Sequence, residues 1–306
     1  MKHTLSIIIC TKDREQSLKN CLDTVFCQTR QPNEIIIVDD GDLNEDKIVA
    51  LVECNQIVCR YLKKDIPGLP ASRNLGIEHA QGDIVLFLDD DVVLDPDYVA
   101  GVMEIYETDP KRQIGGVTGA LKVSYRPGVL PFLRFFGLDG LKPGAILPSG
   151  YGVLVREGEF DQPIEVQWLS GCNMSYRRVV FDEFHFDQRL GTYGWGEDRD
   201  FSFRVSHRYK LVATPKARLV HLEDSAGRID ARRFGFMETN YVYRFFVKNM
   251  PKKPVTWLAL GWAIVGVMIK NLLLAMTTPN HRAMLAQLRG NLEGLYAIKT
   301  GKDFMA

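Results

Sequence analysis

Three consecutive aspartates, Asp89, Asp90 and Asp91, close an apolar run, Ile84-Val85-Leu86-Phe87-Leu88. Apolar residues in unbroken succession between a helix-like segment and an acidic cluster read as a strand buried on both faces, the mark of a parallel sheet. Open α/β sheets present ligands at the carboxyl ends of their strands. Three anions gathered there repel one another unless a cation sits among them, and the usual one is a hard divalent ion held by oxygens. The alternative is a helix start, with Asp91 or Asp95 capping a helix that opens near Pro96. Asp95-Pro96 is expected to play that part. Capping accounts for one aspartate and not for three, so a metal is the preferred reading.

The pattern repeats on both sides of the triplet. Residues 5–10, 34–38, 57–62 and 84–88 read as strands. Residues 15–28, with Leu18, Leu22, Val25 and Phe26 on one face, read as a helix. So do residues 70–80 and 96–107, each opening on a proline. Such alternation predicts a doubly wound, mostly parallel sheet with helices on both faces. A chain of 306 residues holds one large α/β domain and an appendage, expected at residues 1–235 and 236–306.

Charge excludes more than it points to. Lys+Arg and Asp+Glu stand at 38 each, so no net field calls for nucleic acid or an acidic polymer. The six cysteines lack metal-type spacing, and a strand begins within the first residues. A reducing, cytosolic compartment without a signal peptide is therefore expected.

Chemistry-bearing residues follow the strands. The first runs into Thr11-Lys12-Asp13-Arg14, the second into Asp39-Asp40-Gly41, and Arg73 opens a helix after the third. Together with Asp89, Asp90 and Asp91 they converge on one crevice. Carboxylates for ribose or base donors and an arginine for phosphate suit a nucleotide. Asp-Gly pairs mark turns; that turn is assigned to Asp40-Gly41, leaving Asp39 for the ligand. In the second half, Glu197 and Asp198 lie just before a helix-like stretch, where the dipole favours a carboxylate and a general base for an alcohol is well placed. Trp195 offers an apolar face for a sugar ring. His221 ends the strand-like 218–220 and reads as a metal or diphosphate contact as readily as a structural histidine.

Two apolar segments stand apart. Residues 126–152 are rich in Pro and Gly yet carry Leu130, Phe132, Leu133, Phe135, Phe136 and Leu138, which fits a binding lid or contact patch and equally a short buried helix. Residues 255–276 are apolar except for Thr256, Lys270 and Asn271, long enough to span a bilayer. Basic residues on both sides (Lys248, Lys252 and Lys253 before, Arg282 and Arg289 after) remove the asymmetry that orients a span. Ala259, Ala263, Gly266 and Lys270 share a face expected to pack on protein or meet headgroups, and Leu285, Leu288, Leu292 and Leu295 line a second helix. Two helices lying in or dipping into the cytosolic membrane surface are expected, ahead of a single span and of a soluble helical pair.

Taken in order, these segments resemble family 2 glycosyltransferases of the inverting, GT-A-fold type. The likeness lies in residues 5–14, in Gln28-Thr29 with residues 34–41, in Ala71-Ser72-Arg73-Asn74-Leu75-Gly76, in Gly82-Asp83 through the acidic DxD motif Asp89-Asp90-Asp91, in residues 170–175, and in Gly196-Glu197-Asp198. The resemblance implies a nucleotide-sugar donor held by Thr11, Asp39 and Arg73; Asp13, Arg14 and Asp90, at the same strand ends, are expected to line it. It implies Mg²⁺ or Mn²⁺ and the diphosphate at Asp89 and Asp91; His221, from its place at a strand end, is expected to join them as a metal ligand. Asp198 would be the catalytic base, and Gly171, Asn173, Trp195 and Glu197 would lie on the acceptor side. Lys12 departs from the aromatic common at its position, and Arg208 from a glycine. The implied activity is transfer to a hydroxyl of a glycan or lipid-linked acceptor at the cytoplasmic face of the cell membrane. Two other readings are a non-catalytic nucleotide-sugar or glycan-binding protein and a polyprenyl-phosphate sugar transferase. Neither needs a base, so Asp198 weighs against both.

Overall fold

The computed structural model describes residues 3–123, 125, 128–190, 195–223 and 229–301. These divide into two compact units, Met1–Ser124 with Leu154–Gly227, and Tyr125–Val153 with Arg228–Ala306. In chain order the elements begin β1 (Leu5–Thr11), α1 (Glu15–Phe26), β2 (Glu34–Asp39), α2 (Glu45–Glu53), β3 (Val58–Lys63) and α3 (Leu69–His79). They continue with β4 (Ile84–Asp89), β5 (Val92–Leu94), α4 (Tyr98–Glu107), β6 (Ile114–Leu121), α5 (Val129–Phe135), β7 (Ile164–Val166) and β8 (Met174–Arg177). The last are α6 (Glu197–Ser206), β9 (Lys210–His221), α7 (Ala231–Asn249), α8 (Pro254–Thr277) and α9 (His281–Thr300).

In the first unit the described strands form one sheet in the order β3-β2-β1-β4-β8-β6-β9-β5, with β7 on β9. β1 runs parallel to β2 and β4, and β2 to β3. This is the parallel half the sequence predicts. Beyond β4 the sheet is mixed, because β8 enters antiparallel between β4 and β6. Alternate residues of the central strands fill cores on opposite faces: Ile7, Ile9 and Leu86 on one side, Ile8, Ile36 and Phe87 on the other. Register aligns the strand ends, with Thr11 opposite Asp39, Asp39 opposite Lys63, and Cys10 opposite Asp89. That alignment builds the site.

One local expectation is corrected here. The acidic triplet feeds a short strand, β5, and not a helix. α4 opens at Tyr98, and Asp95 does not cap it: the Asp95 carboxylate takes Lys122 Nζ at 2.7 Å instead. The carboxylate is engaged by the lysine that follows β6.

In the second unit α7 and α9 approach closely, for Gly235 and Gly290 lie against each other's helix backbone with no room for a Cβ. Two of the polar interruptions of the apolar segment, Lys270 and Asn271, face this packing. Asn271 Nδ2 donates to Asn291 Oδ1 at 2.8 Å, and Lys270 Nζ pairs with Glu238 Oε1 at 3.4 Å. Ala263 and Gly266 are buried, Gly266 against the Phe136 ring. The small-residue face of α8 therefore packs on protein. The stretch that begins at Gly128 forms the short helix α5, and Phe136 just after it stacks on Trp262 of α8 with ring centroids 4.9 Å apart. Val255, Leu258, Val265, Leu272 and Met276 remain exposed on the outer face of α8.

Candidate active site

Thr11 at the end of β1 donates its hydroxyl to Asp90 Oδ2 at 2.7 Å. Arg14, one turn on, clamps the neighbouring carboxylates, with Nη1 2.9 Å from Asp90 Oδ1 and Nη2 2.7 Å from Asp91 Oδ2. Burial pushes the Asp90 carboxyl up, to about 7, although Thr11 and Arg14 pull the other way. Asp91 differs. Burial alone would raise it, but His221 and Arg14 more than offset that and hold it well below the usual carboxylate range.

His221 arrives from the end of β9, which pairs antiparallel with β5 so that His221 lies opposite Val92. Its Nε2 sits 2.9 Å from Asp91 Oδ1 and 3.8 Å from Asp89 Oδ2. One ligand atom from each of Asp89, Asp91 and His221 falls within a 4.8 Å group. The two carboxylates are ligands that suit Mg²⁺ or Mn²⁺, and the imidazole adds a nitrogen that a transition ion such as Mn²⁺ accepts more readily than Mg²⁺ does. Burial lowers the affinity of His221 for a proton, yet the bond to Asp91 and the Cys172 thiol more than offset this and push it up to about 11.

Asp39 is fully buried. Its carboxylate accepts from Gly41 N at 2.8 Å, Leu43 N at 3.1 Å, Tyr61 Oη at 2.7 Å and Lys63 Nζ at 3.2 Å. These bonds outweigh the opposing effect of burial and keep its carboxyl below the ordinary range. The turn is thus made by Asp39 and not by Asp40, the reverse of the sequence expectation. Asp40 instead takes Gly68 N at 2.8 Å and Ser72 Oγ at 2.7 Å, anchoring the start of α3. Lys63 and Tyr61 were not anticipated. The signal was present, since Lys63 ends the third strand on the same edge as Thr11 and Asp39. Asp13 sits in the adjoining loop, where its Oδ1 accepts from Asp42 N at 2.9 Å.

Arg73 is buried between the two halves of the site. Its Nη2 donates to Asp89 Oδ1 at 3.3 Å and to Gly171 O at 3.1 Å, while Nη1 pairs with Glu197 Oε1. Glu197 and Asp198 form the first turn of α6. Burial pushes the Glu197 carboxyl up, and Arg73 opposes this. Asp198 is half-buried, held by Gly171 N at 2.8 Å on Oδ2 and by Arg199 N at 2.7 Å on Oδ1. Trp195 stands beside it, half-buried, with the Arg199 guanidinium 5.2 Å over its ring.

Asn173 is not brought into this group. It is fully buried in the sheet, with Nδ2 on Gly119 O at 3.1 Å and Oδ1 taking Thr118 Oγ1 at 2.9 Å. Its amide serves the β6–β8 pairing.

Residues 6–184 match the family model described as glycosyl transferase family 2. A glucosyl-dolichyl phosphate glucuronosyltransferase of Haloferax volcanii is 28% identical over 195 residues, covering 62% of this chain and 58% of the relative. The uncharacterized glycosyltransferase YwdF of Bacillus subtilis is 26% identical over 246 residues, covering 80% of this chain and 84% of the relative. Among solved structures, the mannosyltransferase PcManGT of Pyrobaculum calidifontis, in complex with GDP-Man and Mn²⁺, superposes with a TM-score of 0.59 at 14% identity. That likeness covers 97% of this chain and 88% of the other, and it concerns the fold.

Proposed function

The chain belongs to glycosyl transferase family 2, and from that membership and the site geometry we propose that it moves a sugar from a nucleotide-diphosphate sugar to an acceptor hydroxyl with inversion. The observation that carries the reading is the convergence of two groups on one sheet edge. Asp89, Asp91 and His221 form a cation site, and Asp198 is held on the other side of Arg73 and Gly171.

The nucleotide is taken by the loops that follow β1 and β2, with Thr11, Asp13 and Arg14 on one side and Asp39 as a fixed floor. When bound, Mg²⁺ or Mn²⁺ at Asp89, Asp91 and His221 supplies positive charge against the diphosphate leaving group. Asp198 takes the proton of the acceptor hydroxyl as its oxygen attacks the anomeric carbon. Each Asp198 oxygen accepts one backbone N–H and keeps a lone pair, so the carboxylate is aimed without being used up. A single in-line displacement needs one base and inverts the centre, whereas a glycosidase needs two carboxylates flanking the bond. Trp195 offers the acceptor sugar an apolar face.

We also read the acceptor as lipid-linked. α8 is long and apolar enough to cross a membrane, with a mean hydropathy of 1.9 over its most apolar window, and its outer face is exposed. Lys270 and Asn271 turn inward to α7 and α9, and we read α8 as lying in the cytoplasmic membrane face with its apolar outer side toward lipid. The Haloferax relative is named for a glucosyl-dolichyl phosphate, which supports a lipid-linked acceptor here.

A panel of nucleotide sugars tests the reading. With Mn²⁺ present, one donor should stabilise the protein against heat and be cleaved to its nucleoside diphosphate. Neither stabilisation nor cleavage by any donor, in a folded protein, would count against it.

A further inference from the structure

We propose that Arg73 and Glu197 are a positioning pair, in which one guanidinium fixes where Asp198 points relative to Asp89. Glu197 holds that guanidinium and not an acceptor sugar, which revises the role the sequence suggested for it. The inference rests on the reading of Asp198 as the base.

The contacts form a bracket. Arg73 Nη1 pairs with Glu197 Oε1, and Arg73 Nη2 reaches Asp89 Oδ1 at 3.3 Å and Gly171 O at 3.1 Å. Gly171 in turn donates its N–H to Asp198 Oδ2 at 2.8 Å. One planar fork on α3 therefore touches the end of β4, the loop before β8 and the first residue of α6. Those partners lie 16, 98 and 124 residues away in sequence. Glu197 and Asp198 are adjacent in one helical turn, so a shift of one carries the other. Gly171 leaves no slack. A Cβ there would meet Arg73 Nη2 at 2.9 Å and Asp198 Cβ at 3.2 Å. A guanidinium presents its donors at fixed angles, whereas a lysine ammonium is a rotatable point charge and sets no such spacing.

Glu197 is placed poorly to meet substrate. The side chains of Arg73 and Glu197 are 3% and 6% exposed, and Phe186 lies 5.6 Å from the guanidinium carbon. Nor is stability a sufficient reason for the pair. Burying two charges costs desolvation that their attraction only partly offsets, and an apolar pair of equal volume is often as stable or more so. Misaiming a reacting group by about 1 Å, by contrast, costs rate by about 10²-fold. Stability and rate should therefore separate.

The test uses full-length Glu197→Gln, Arg73→Lys and the double variant Arg73→Met with Glu197→Met. Thermal unfolding, calorimetric binding of UDP and GDP with Mn²⁺, and kcat and KM on the donor that the wild type turns over are measured for each. The double variant should unfold near the wild-type temperature while kcat falls about 10²-fold and exceeds any change in donor KM. Glu197→Gln should lower the plateau of the pH–rate profile and leave its acid limb in place. Wild-type kcat in the double variant would overturn the proposal and make the pair mere packing. Loss of the acid limb in Glu197→Gln would overturn it too, by making Glu197 the base. Should the double variant not fold, wild-type kcat in both single variants has the same force. Undiminished transfer by Asp198→Asn is a separate result, which refutes the base assignment on which the pair depends.

Discussion

Gly171 donates its backbone N–H to Asp198 Oδ2 at 2.8 Å, so the loop before β8 holds the proposed base directly. Asp198→Asn keeps the shape and the acceptor oxygen but cannot take a proton. Folding and nucleoside diphosphate binding should survive, and transfer should fall about 10²–10⁴-fold. Gly171→Ala should lower kcat as well, since its methyl group must displace Arg73 or Asp198. Near-native turnover in Asp198→Asn alongside a dead Glu197→Gln would mean the wrong carboxylate has been named.

The cation site makes a second prediction. Asp91→Asn should lose transfer, and chelation of the wild-type protein should silence it until Mg²⁺ or Mn²⁺ is restored. A purely structural Asp91 would yield a destabilised but active variant, so unfolding and rate belong in one experiment. Full activity in excess chelator rules the metal out.

Asp39 predicts a dependence of stability on pH. Its folded pKa lies below the unfolded value of about 3.9, so the native state binds fewer protons than the unfolded chain in that window. Its contribution is present above that value and is lost as pH falls through the folded pKa. Asp39→Asn should cost about 1–3 kcal/mol at pH 7 and lose less than the wild type on acidification to pH 3. Denaturant titrations at the two pH values measure this, and parallel losses in both proteins would show that Asp39 contributes nothing to it.

The outer face of α8 predicts attachment that salt does not reverse. The protein should sediment with membranes, stay there in high salt because apolar burial dominates, and come off in detergent. Leu258→Asp with Val265→Asp, both at exposed positions, should release it without loss of fold. Recovery of the wild-type chain as a detergent-free soluble monomer is the contrary result.

Much of this was legible in the sequence because it is carried by local pattern. The strand before Asp89, the helix through Leu18, Leu22 and Val25, and the helix bearing Arg73 each follow from runs and periods that a single segment displays. What was missed depends on pairing. β8 is a short antiparallel strand whose residues Ser175 and Tyr176 meet β4, and nothing in its own composition places it there. Asp39 and Asp40 share a chemistry, and only the register that brings Lys63 and Tyr61 to Asp39 decides which one makes the turn. Asn173 sat in the right motif, but its amide was claimed by Thr118 and Gly119 from another strand.

The central claim is a single displacement at the anomeric carbon, assisted by Asp198. The most direct measurement is the anomeric configuration of the first product, read by ¹H NMR, from an α-linked nucleotide sugar with Mn²⁺ and a hydroxyl acceptor. The account predicts a β-linked product from the wild-type protein and essentially none from Asp198→Asn. An α-linked product, formed equally well without the Asp198 carboxylate, would contradict it.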